Sequence, residues 1–192
     1  MGLVVGITIR GMKIPVRLLL LALCLAAQAA AALDVAEAYA AIPHRRTPYD
    51  AAASPSSAAQ KAALAWLFAR TDRGVVLRVE GMKAHGSKDA AALQRVVSQY
   101  DGVIAELAKE EVVDEVKPAR ALVVEAMKKQ RRFLSSKPAG QVAFTQIGRV
   151  PEVSGASSQL LEAYGFLMKT FPKETPRNRT SFFDHLCALD FL

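Results

Sequence analysis

Apolar residues recur at three- and four-residue spacing along most of this chain, and this periodicity restricts its fold more than any other feature. The spacing matches the 3.6-residue turn of an α-helix, so each apolar series lies on one helical face. No segment alternates apolar and polar residues for long enough to predict a half-buried β-strand. The predicted helices begin near Ser56 or Ser57, near Ser87 or Asp89, at Pro118, and near Ser157 and Asn178.

One of these helices has an especially regular apolar stripe, formed by Leu93, Val96, Val97, Tyr100, Ile104 and Leu107. A shorter helix is predicted over residues 33–42 and ends at Pro43. A connection over residues 135–155, rich in proline and glycine, is the longest predicted loop. Four to five amphipathic helices with short connections pack most simply as an up-and-down bundle, here with the short helix in front of it.

The first 32 residues have the order of a secretory signal peptide. They contain no acidic residue and three basic ones, Arg10, Lys13 and Arg17. An apolar block over residues 18–25 follows, and then a stretch of small residues over 26–32. This order of basic, apolar and small-residue regions predicts an exported protein whose leader is removed.

Both ends of the leader are predicted from local sequence. A start at Met12 gives a tighter signal peptide than a start at Met1, and cleavage is expected just before Leu33. The alternative is a retained membrane anchor. However, the apolar run is shorter than the ~20 residues of a spanning helix, and Asp34 and Glu37 follow it instead of basic residues. The prediction is therefore a periplasmic or secreted protein without stable membrane insertion.

Removal of the leader changes the charge and the thiol content of the protein. Residues 33–192 form one predicted domain, and the formal net charge falls from +7 to +4 because three cations leave with the leader. Of the two cysteines only Cys187 remains, so the mature chain has no partner for an internal disulfide. Helix packing alone is expected to hold the fold. The apolar neighbours of Cys187 favour its burial, and the alternative is a thiol that links two copies.

The predicted loop over residues 42–50 contains several polar and charged side chains close together in sequence. His44, Arg45, Arg46 and Tyr49 offer an imidazole, two guanidiniums and a phenol close together in sequence. Paired arginines bind phosphate or carboxylate groups through bidentate contacts, which makes these residues a candidate anion-binding site. The alternative interpretation is that the arginines tie this loop to acidic residues on the bundle.

The last predicted helix carries a second set of polar side chains. Asp184 and Cys187 share a helical face, whereas His185 lies about a quarter-turn away, so no metal site is predicted. In the alternative interpretation, the polar residues of a core helix meet partners at one end of the bundle. A pairing of Asp184 or Asp190 with a loop arginine would clamp the first loop onto this helix. Asp184 and His185 therefore join the candidate ligand site.

A metal- or haem-binding electron-transfer bundle is the alternative function. The chain lacks the Cys-x-x-Cys-His motif of covalent haem attachment and the Glu-x-x-His motif of dinuclear carboxylate bundles. A non-covalent haem would need His185 with Met82 or Met168 as axial ligands. Methionine on an apolar stripe usually fills the core, so no cofactor is predicted.

Enzymatic and nucleic-acid-binding functions are disfavoured. The sequence has no nucleophile elbow, phosphate-binding loop or metalloprotease helix, so no catalytic residue is predicted. The basic cluster over residues 128–132 is interrupted by Gln130, which lies on an apolar stripe, and this pattern is typical of a solvated face. Export also argues against a nucleic-acid partner.

Two strings near the ends of the mature chain are its most distinctive sequences, AIPHRRTPYD over residues 41–50 and DHLCALDFL over residues 184–192. They resemble the ends of an uncharacterised family of exported proteobacterial helical proteins. The resemblance implies export and carries no known activity or site residue. The function expected from the sequence is therefore non-enzymatic binding of a protein partner or a small anionic ligand, in a site between the first loop and the last helix.

Overall fold

The computed structural model describes four ranges of the chain, residues 7–9, 12–14, 33–136 and 140–191. It divides into two compact units, Met1–Leu33 and Asp34–Leu192. In the first unit, β1 (Ile7–Ile9) and β2 (Met12–Ile14) pair antiparallel, which the sequence analysis does not predict. The apolar block and the cleavage site of the predicted leader lie outside the described residues.

The second unit is helical throughout its described regular elements. These are α1 (Val35–Ala40), α2 (Ala58–Gly86), α3 (Ala90–Lys109), α4 (Lys117–Ser136), a 3-10 helix (Phe144–Arg149), α5 (Pro151–Thr170) and α6 (Pro176–Leu189). Each long helix packs against the next, α6 returns to contact α2, and α1 packs on α2. This closed arrangement confirms the predicted all-α bundle with a short helix in front of it.

Side-chain caps explain where several helices begin. Ser57 precedes α2 and forms a capping box with Gln60, in which each side chain accepts a hydrogen bond from the other residue's backbone N–H. Asp89 caps α3 and Thr175 caps α6, each with a side-chain oxygen that accepts a hydrogen bond from one backbone N–H of the first turn. Because such caps satisfy backbone donors that have no partner inside the helix, they mark a helix start in the sequence as well as in the structure.

One helix boundary and the longest loop differ from the sequence prediction. The helix α5 begins at Pro151 instead of Ser157, and the 3-10 helix occupies part of the predicted loop over residues 135–155. Proline suits the first turn of a helix, where its missing N–H has no partner to lose. Val153 and Ala156 extend the buried face of α5 toward this start, but the serines and the glycine around them weaken the apolar pattern.

Two glycines in α2 allow neighbouring helices to approach closely. A Cβ atom on Gly74 would lie 2.8 Å from Cδ1 of Leu189, and one on Gly81 would lie 2.8 Å from Cδ1 of Leu134. Both distances are too short for a real carbon contact, so these positions need glycine as long as the leucines stay where they are. They bring α2 close to α6 and α4, respectively.

An aromatic cluster joins the first loop to α2 and α6. The rings of Phe68 and Phe182 stack with centroids 5.5 Å apart, and Tyr49 from the loop stacks on Phe182 at 6.2 Å. The imidazole of His185 lies 4.7 Å from the Phe68 ring. Since both phenylalanines are at most 2% exposed, the cluster anchors the loop in the core and leads directly to the candidate site.

Candidate functional site

Polar side chains from three parts of the chain contact Asp72, which lies on α2. Its Oδ1 atom accepts a hydrogen bond from the Tyr39 hydroxyl at 2.9 Å. Its Oδ2 atom accepts from Nη2 of Arg46 at 2.7 Å and from Nε at 3.2 Å. Nε2 of His185 lies 3.4 Å from Oδ1. Asp72 is only 4% exposed, so the hydrogen bonds from Tyr39 and Arg46 compensate a buried charge.

Asp72 is the residue that the sequence analysis missed. It follows Phe68 by four positions and precedes Val75 by three, which places a carboxylate on the buried face of α2. An ionisable residue at an inward position requires a partner. That requirement was the available signal, although it does not say which residue the partner is.

The surroundings of His185 favour its neutral form. Burial lowers the pKa of His185, and the negative charge of Asp72 and the Ser181 carbonyl only partly oppose this effect. Nδ1 lies 2.8 Å from the Ser181 carbonyl oxygen, which can only accept, so Nδ1 donates. Arg46 and Tyr39 already compensate Asp72, which leaves little support for a second cation, and Nε2 remains at the longer distance of 3.4 Å.

The other two partners of Asp72 differ in exposure. Burial, followed by the charge of Asp72, raises the pKa of Tyr39 well above its usual value, so the phenol stays protonated and donates. The hydrogen bond to Asp72 raises the pKa of Arg46. The Arg46 side chain is 39% exposed, and its guanidinium lies 5.9 Å from the centre of the Tyr39 ring. The Arg46 side chain therefore lies between Asp72 and solvent.

A second buried carboxylate, Glu174, fastens the segment that follows the loop. It accepts hydrogen bonds from the hydroxyl groups of Ser54 and Ser56, and from Nδ2 of Asn178 at 2.8 Å. Burial alone would raise the pKa of Glu174, but these hydrogen bonds together hold it below its usual value. Asn178 also exchanges two hydrogen bonds with the backbone of Asp50, at 2.9 and 3.0 Å.

His44 and Cys187 form a separate pair beside the Asp72 cluster. Sγ of Cys187 lies 3.7 Å from Nδ1 of His44. Burial and then the nearby carboxylates of Asp190 and Asp184 raise the pKa of the thiol, whereas burial lowers the pKa of His44. The pair is therefore a thiol beside a neutral imidazole. An activated nucleophile would need a lowered pKa of the thiol and a raised pKa of the imidazole.

The structure brings most of the predicted site residues to the last helix, but in different roles. Arg46 and His185 meet at Asp72, while His44 lies at Cys187. Tyr49 stacks on Phe182, and its hydroxyl lies 3.4 Å from Glu174. Asp184 is half-buried and acts through its charge on its neighbours, and Arg45 is exposed.

A loop arginine paired with Asp184 or Asp190 is one alternative from the sequence, but Arg46 does not form that pair. Its partner is Asp72, which is more deeply buried and presents one oxygen to both Nη2 and Nε. A desolvated carboxylate gains more from a cation than a half-exposed one does. Asp190 instead accepts a hydrogen bond from Ser157 on α5 at 2.6 Å.

A third polar group closes the C-terminal end of α6. Nη1 of Arg78 donates to the Ala188 carbonyl at 3.2 Å, and Nε2 of Gln130 donates to the Leu189 carbonyl at 2.7 Å. The Tyr100 hydroxyl donates to Oε1 of Gln130 at 3.3 Å. Arg78 and Gln130 thus donate to carbonyl groups that accept no hydrogen bond inside the helix. This role explains why a glutamine lies on an apolar stripe.

Two of the three large apolar side chains that are exposed in the described part of the chain, Leu161 and Phe183, line the groove between α5 and α6. Leu161 is 69% exposed and Phe183 is 47% exposed. Tyr164 meets Phe183 edge-to-face with ring centroids 5.6 Å apart. This ring pair separates two recesses, both of which it lines. Large apolar side chains exposed together are typical of an interaction surface.

The comparisons place no known protein beside this chain: no family model, curated protein or solved structure matches it. Among the described residues, no group of three or more His, Cys, Asp and Glu side chains is arranged to hold a metal ion. No helix in the same part of the chain has the length and apolarity to cross a membrane.

Proposed function

We propose that this chain is exported and acts outside the cytoplasm as a non-enzymatic helical bundle that binds a protein partner. The observation that carries the proposal is the exposure of Leu161 and Phe183 side by side on neighbouring helices. Burying two such side chains in an interface contributes about 1.5–3 kcal/mol each. A partner protein offers the extended apolar surface that this burial requires, whereas a small anion does not.

The geometry of the predicted anion site supports a structural role for it. Asp72 occupies Nη2 and Nε of Arg46, so a carboxylate or phosphate ligand would have to displace a buried charge of the same sign. The predicted alternative that the arginines tie the loop to acidic residues on the bundle agrees with the contacts of Arg46. Anion binding at this site is therefore the weaker proposal.

The haem and metal alternative receives no favouring contact either. His185, its required ligand, is 2% exposed, with Nδ1 on the Ser181 carbonyl and Nε2 facing Asp72. Met168 lies instead in the recess between Tyr164 and Arg179 on the outer side of α5 and α6. An enzymatic role for the His44–Cys187 pair is opposed by the directions of both pKa shifts.

Export is tested by expressing the full chain in a Gram-negative host and sequencing the N-terminus of the protein in the periplasmic fraction. We expect Leu33 as the first residue, which agrees with a compact unit that begins at Asp34. A variant with Leu20→Arg and Leu21→Arg, which interrupts the apolar block of the leader, should stay in the cytoplasm with its leader attached. Periplasmic protein from that variant, or wild-type protein that retains residues before 33, would contradict the proposal.

Partner binding is tested by placing a photo-crosslinking amino acid at position 161 and irradiating intact cells. We expect one adduct of defined mass. The matched control places the same amino acid at Phe144, which is 60% exposed but lies on the 3-10 helix. The absence of a discrete adduct at position 161, or the same adducts at both positions, would remove the support for this surface.

A further inference from the structure

The α5–α6 groove consists of two recesses on either side of one aromatic pair. Tyr164 and Phe183 line both of its recesses and so mark its centre. One recess extends toward the C-terminal end of α6, where Cys187 and Asp190 lie. The other extends toward the N-terminal end of the same helix, to Arg179.

The two ends of the groove carry opposite charges. Asp190 lines the first recess and Arg179 lines the second. Eleven positions separate them in sequence, which corresponds to about 16 Å of helix, and the midpoint falls between Asp184 and His185, within two residues of Phe183. On α5, Ser157 and Met168 mark the same two ends, and their midpoint falls between Glu162 and Ala163, within two residues of Tyr164.

A two-fold axis that passes close to the Tyr164–Phe183 pair, in the plane of the interface and at right angles to both helices, would exchange the two ends of the groove. It would set Asp190 of one copy against Arg179 of the other, twice in the same interface. Leu161, which projects beside the first recess, would face the second recess of the other copy, a space of about 410 Å³. A closed dimer needs a surface that complements itself under such an axis.

We infer that the groove between α5 and α6 is the interface of a homodimer, in which a second copy of this chain covers Leu161, Tyr164 and Phe183. This inference rests on the proposed function, because it names the protein partner of the same surface. Opposite charges at the two ends of the groove favour a second copy over an unrelated partner, since one sequence supplies both halves of each ion pair. The apolar centre supplies affinity and the charged ends set the relative orientation.

The inference is tested by sedimentation equilibrium of the protein purified from periplasmic extract after expression of the full chain. We expect the mass of a dimer. Leu161→Glu should weaken association by roughly a hundredfold, because it places a carboxylate in the apolar centre. The matched control, Phe144→Glu, removes an equally exposed apolar side chain from the 3-10 helix and should leave association unchanged.

The orientation is tested with two arginines on α6. Arg179→Glu should weaken association by roughly tenfold, because each end of the interface would then pair two carboxylates. Arg177→Glu makes the same change on an exposed residue that lines neither recess and should have little effect. Far-ultraviolet circular dichroism of each variant verifies that the helices are intact.

Three outcomes would overturn the inference, and they separate it from the proposed function. A monomer at high concentration, together with an adduct to a different protein at position 161, leaves the proposed function standing without the homodimer. A dimer that Leu161→Glu does not weaken assigns the interface to another face. A monomer with no adduct at position 161 contradicts both the inference and the proposed function.

Discussion

The guanidinium of Arg46 donates from Nη2 and Nε to the same oxygen of Asp72, at 2.7 and 3.2 Å. Asp72 is 4% exposed, whereas the Arg46 side chain is 39% exposed. The pair thus joins a charge in the core to a cation at the surface. Because Arg46 belongs to the loop after α1, the ion pair holds that loop against the bundle, and the stability of the whole unit depends on it.

Replacing the carboxylate tests this dependence. Asp72→Asn keeps the shape of the side chain but leaves Arg46 without its counter-charge, and we expect a loss of about 2–4 kcal/mol in the free energy of unfolding. The measurement is urea denaturation followed by circular dichroism. Asp101→Asn is the control, since Asp101 pairs with Arg131 at the surface and should lose less than about 1 kcal/mol. Equal losses in the two variants would contradict the assignment.

Stability should fall between pH 7 and pH 5.5. Burial lowers the pKa of His185 and of His44, so the unfolded chain binds protons more readily than the folded chain as the pH falls past the usual histidine pKa. Each histidine then destabilises the fold by at most about 1.4 kcal/mol per pH unit. The free energy of unfolding from urea titrations at several pH values measures the slope.

The contribution of His185 is isolated by substitution. In His185→Gln the slope between pH 7 and pH 5.5 should be smaller than in the wild type, and in the double variant with His44→Gln it should nearly vanish. The pKa of Glu174 is also lowered, but that carboxylate titrates at more acidic pH, below the tested range. An unchanged slope in the double variant would show that other groups carry the pH dependence.

The hydrogen bonds of Asn178 should protect the first loop from proteolysis. Asn178→Ala removes both bonds to the Asp50 backbone and one bond to Glu174, so cleavage by trypsin after Arg45 or Arg46 should accelerate roughly tenfold. Mass spectrometry of the early fragments identifies the site. Ser158→Ala, on the exposed side of α5, serves as the control and should not change the rate. Early cleavage elsewhere in the variant would contradict local release of the loop.

Cys187 should react slowly with alkylating reagents. Its pKa is raised by burial and by nearby carboxylates, so little thiolate is present at neutral pH. We expect the folded protein to react with iodoacetamide more slowly than the same protein in urea, as followed by mass spectrometry. His44→Ala should not slow the reaction further, because the imidazole does not hold the thiol as a thiolate. A reaction faster in the folded protein would indicate an activated nucleophile.

The close approach of α2 and α6 predicts opposite effects at two helical glycines. Gly74→Ala would place a methyl group 2.8 Å from Leu189, and we expect a loss of about 1–3 kcal/mol from overpacking. Gly102→Ala meets no atom within 4 Å and should stabilise the protein by about 0.5–1 kcal/mol, because alanine favours the helix. Thermal and urea unfolding compare them. A stabilising Gly74→Ala would show that the helices separate readily.

The predicted site shows where sequence reasoning stops. The sequence analysis places Arg46 of the loop and His185 of the last helix in one candidate site. Both side chains contact Asp72 in the structure. Their shared partner was not expected. Asp72 lies within an apolar stripe, and a single charged residue does not change the periodicity that predicts the helix. The groove at Leu161 and Phe183 was also missed, because an apolar residue in a stripe looks the same whether a neighbouring helix covers it or not.

The amino-acid sequence by itself predicted four to five long amphipathic helices and, apart from the start of α5, their approximate limits. Apolar spacing, a cap such as Ser57 and a proline such as Pro118 act within one or two turns, so they can be read locally. Only the tertiary structure decided that Asp72 is the partner of Arg46, and that Leu161 stays exposed while Leu160, its neighbour in sequence, is buried. These outcomes depend on which helical faces meet across long separations in the chain, and no local pattern records that choice.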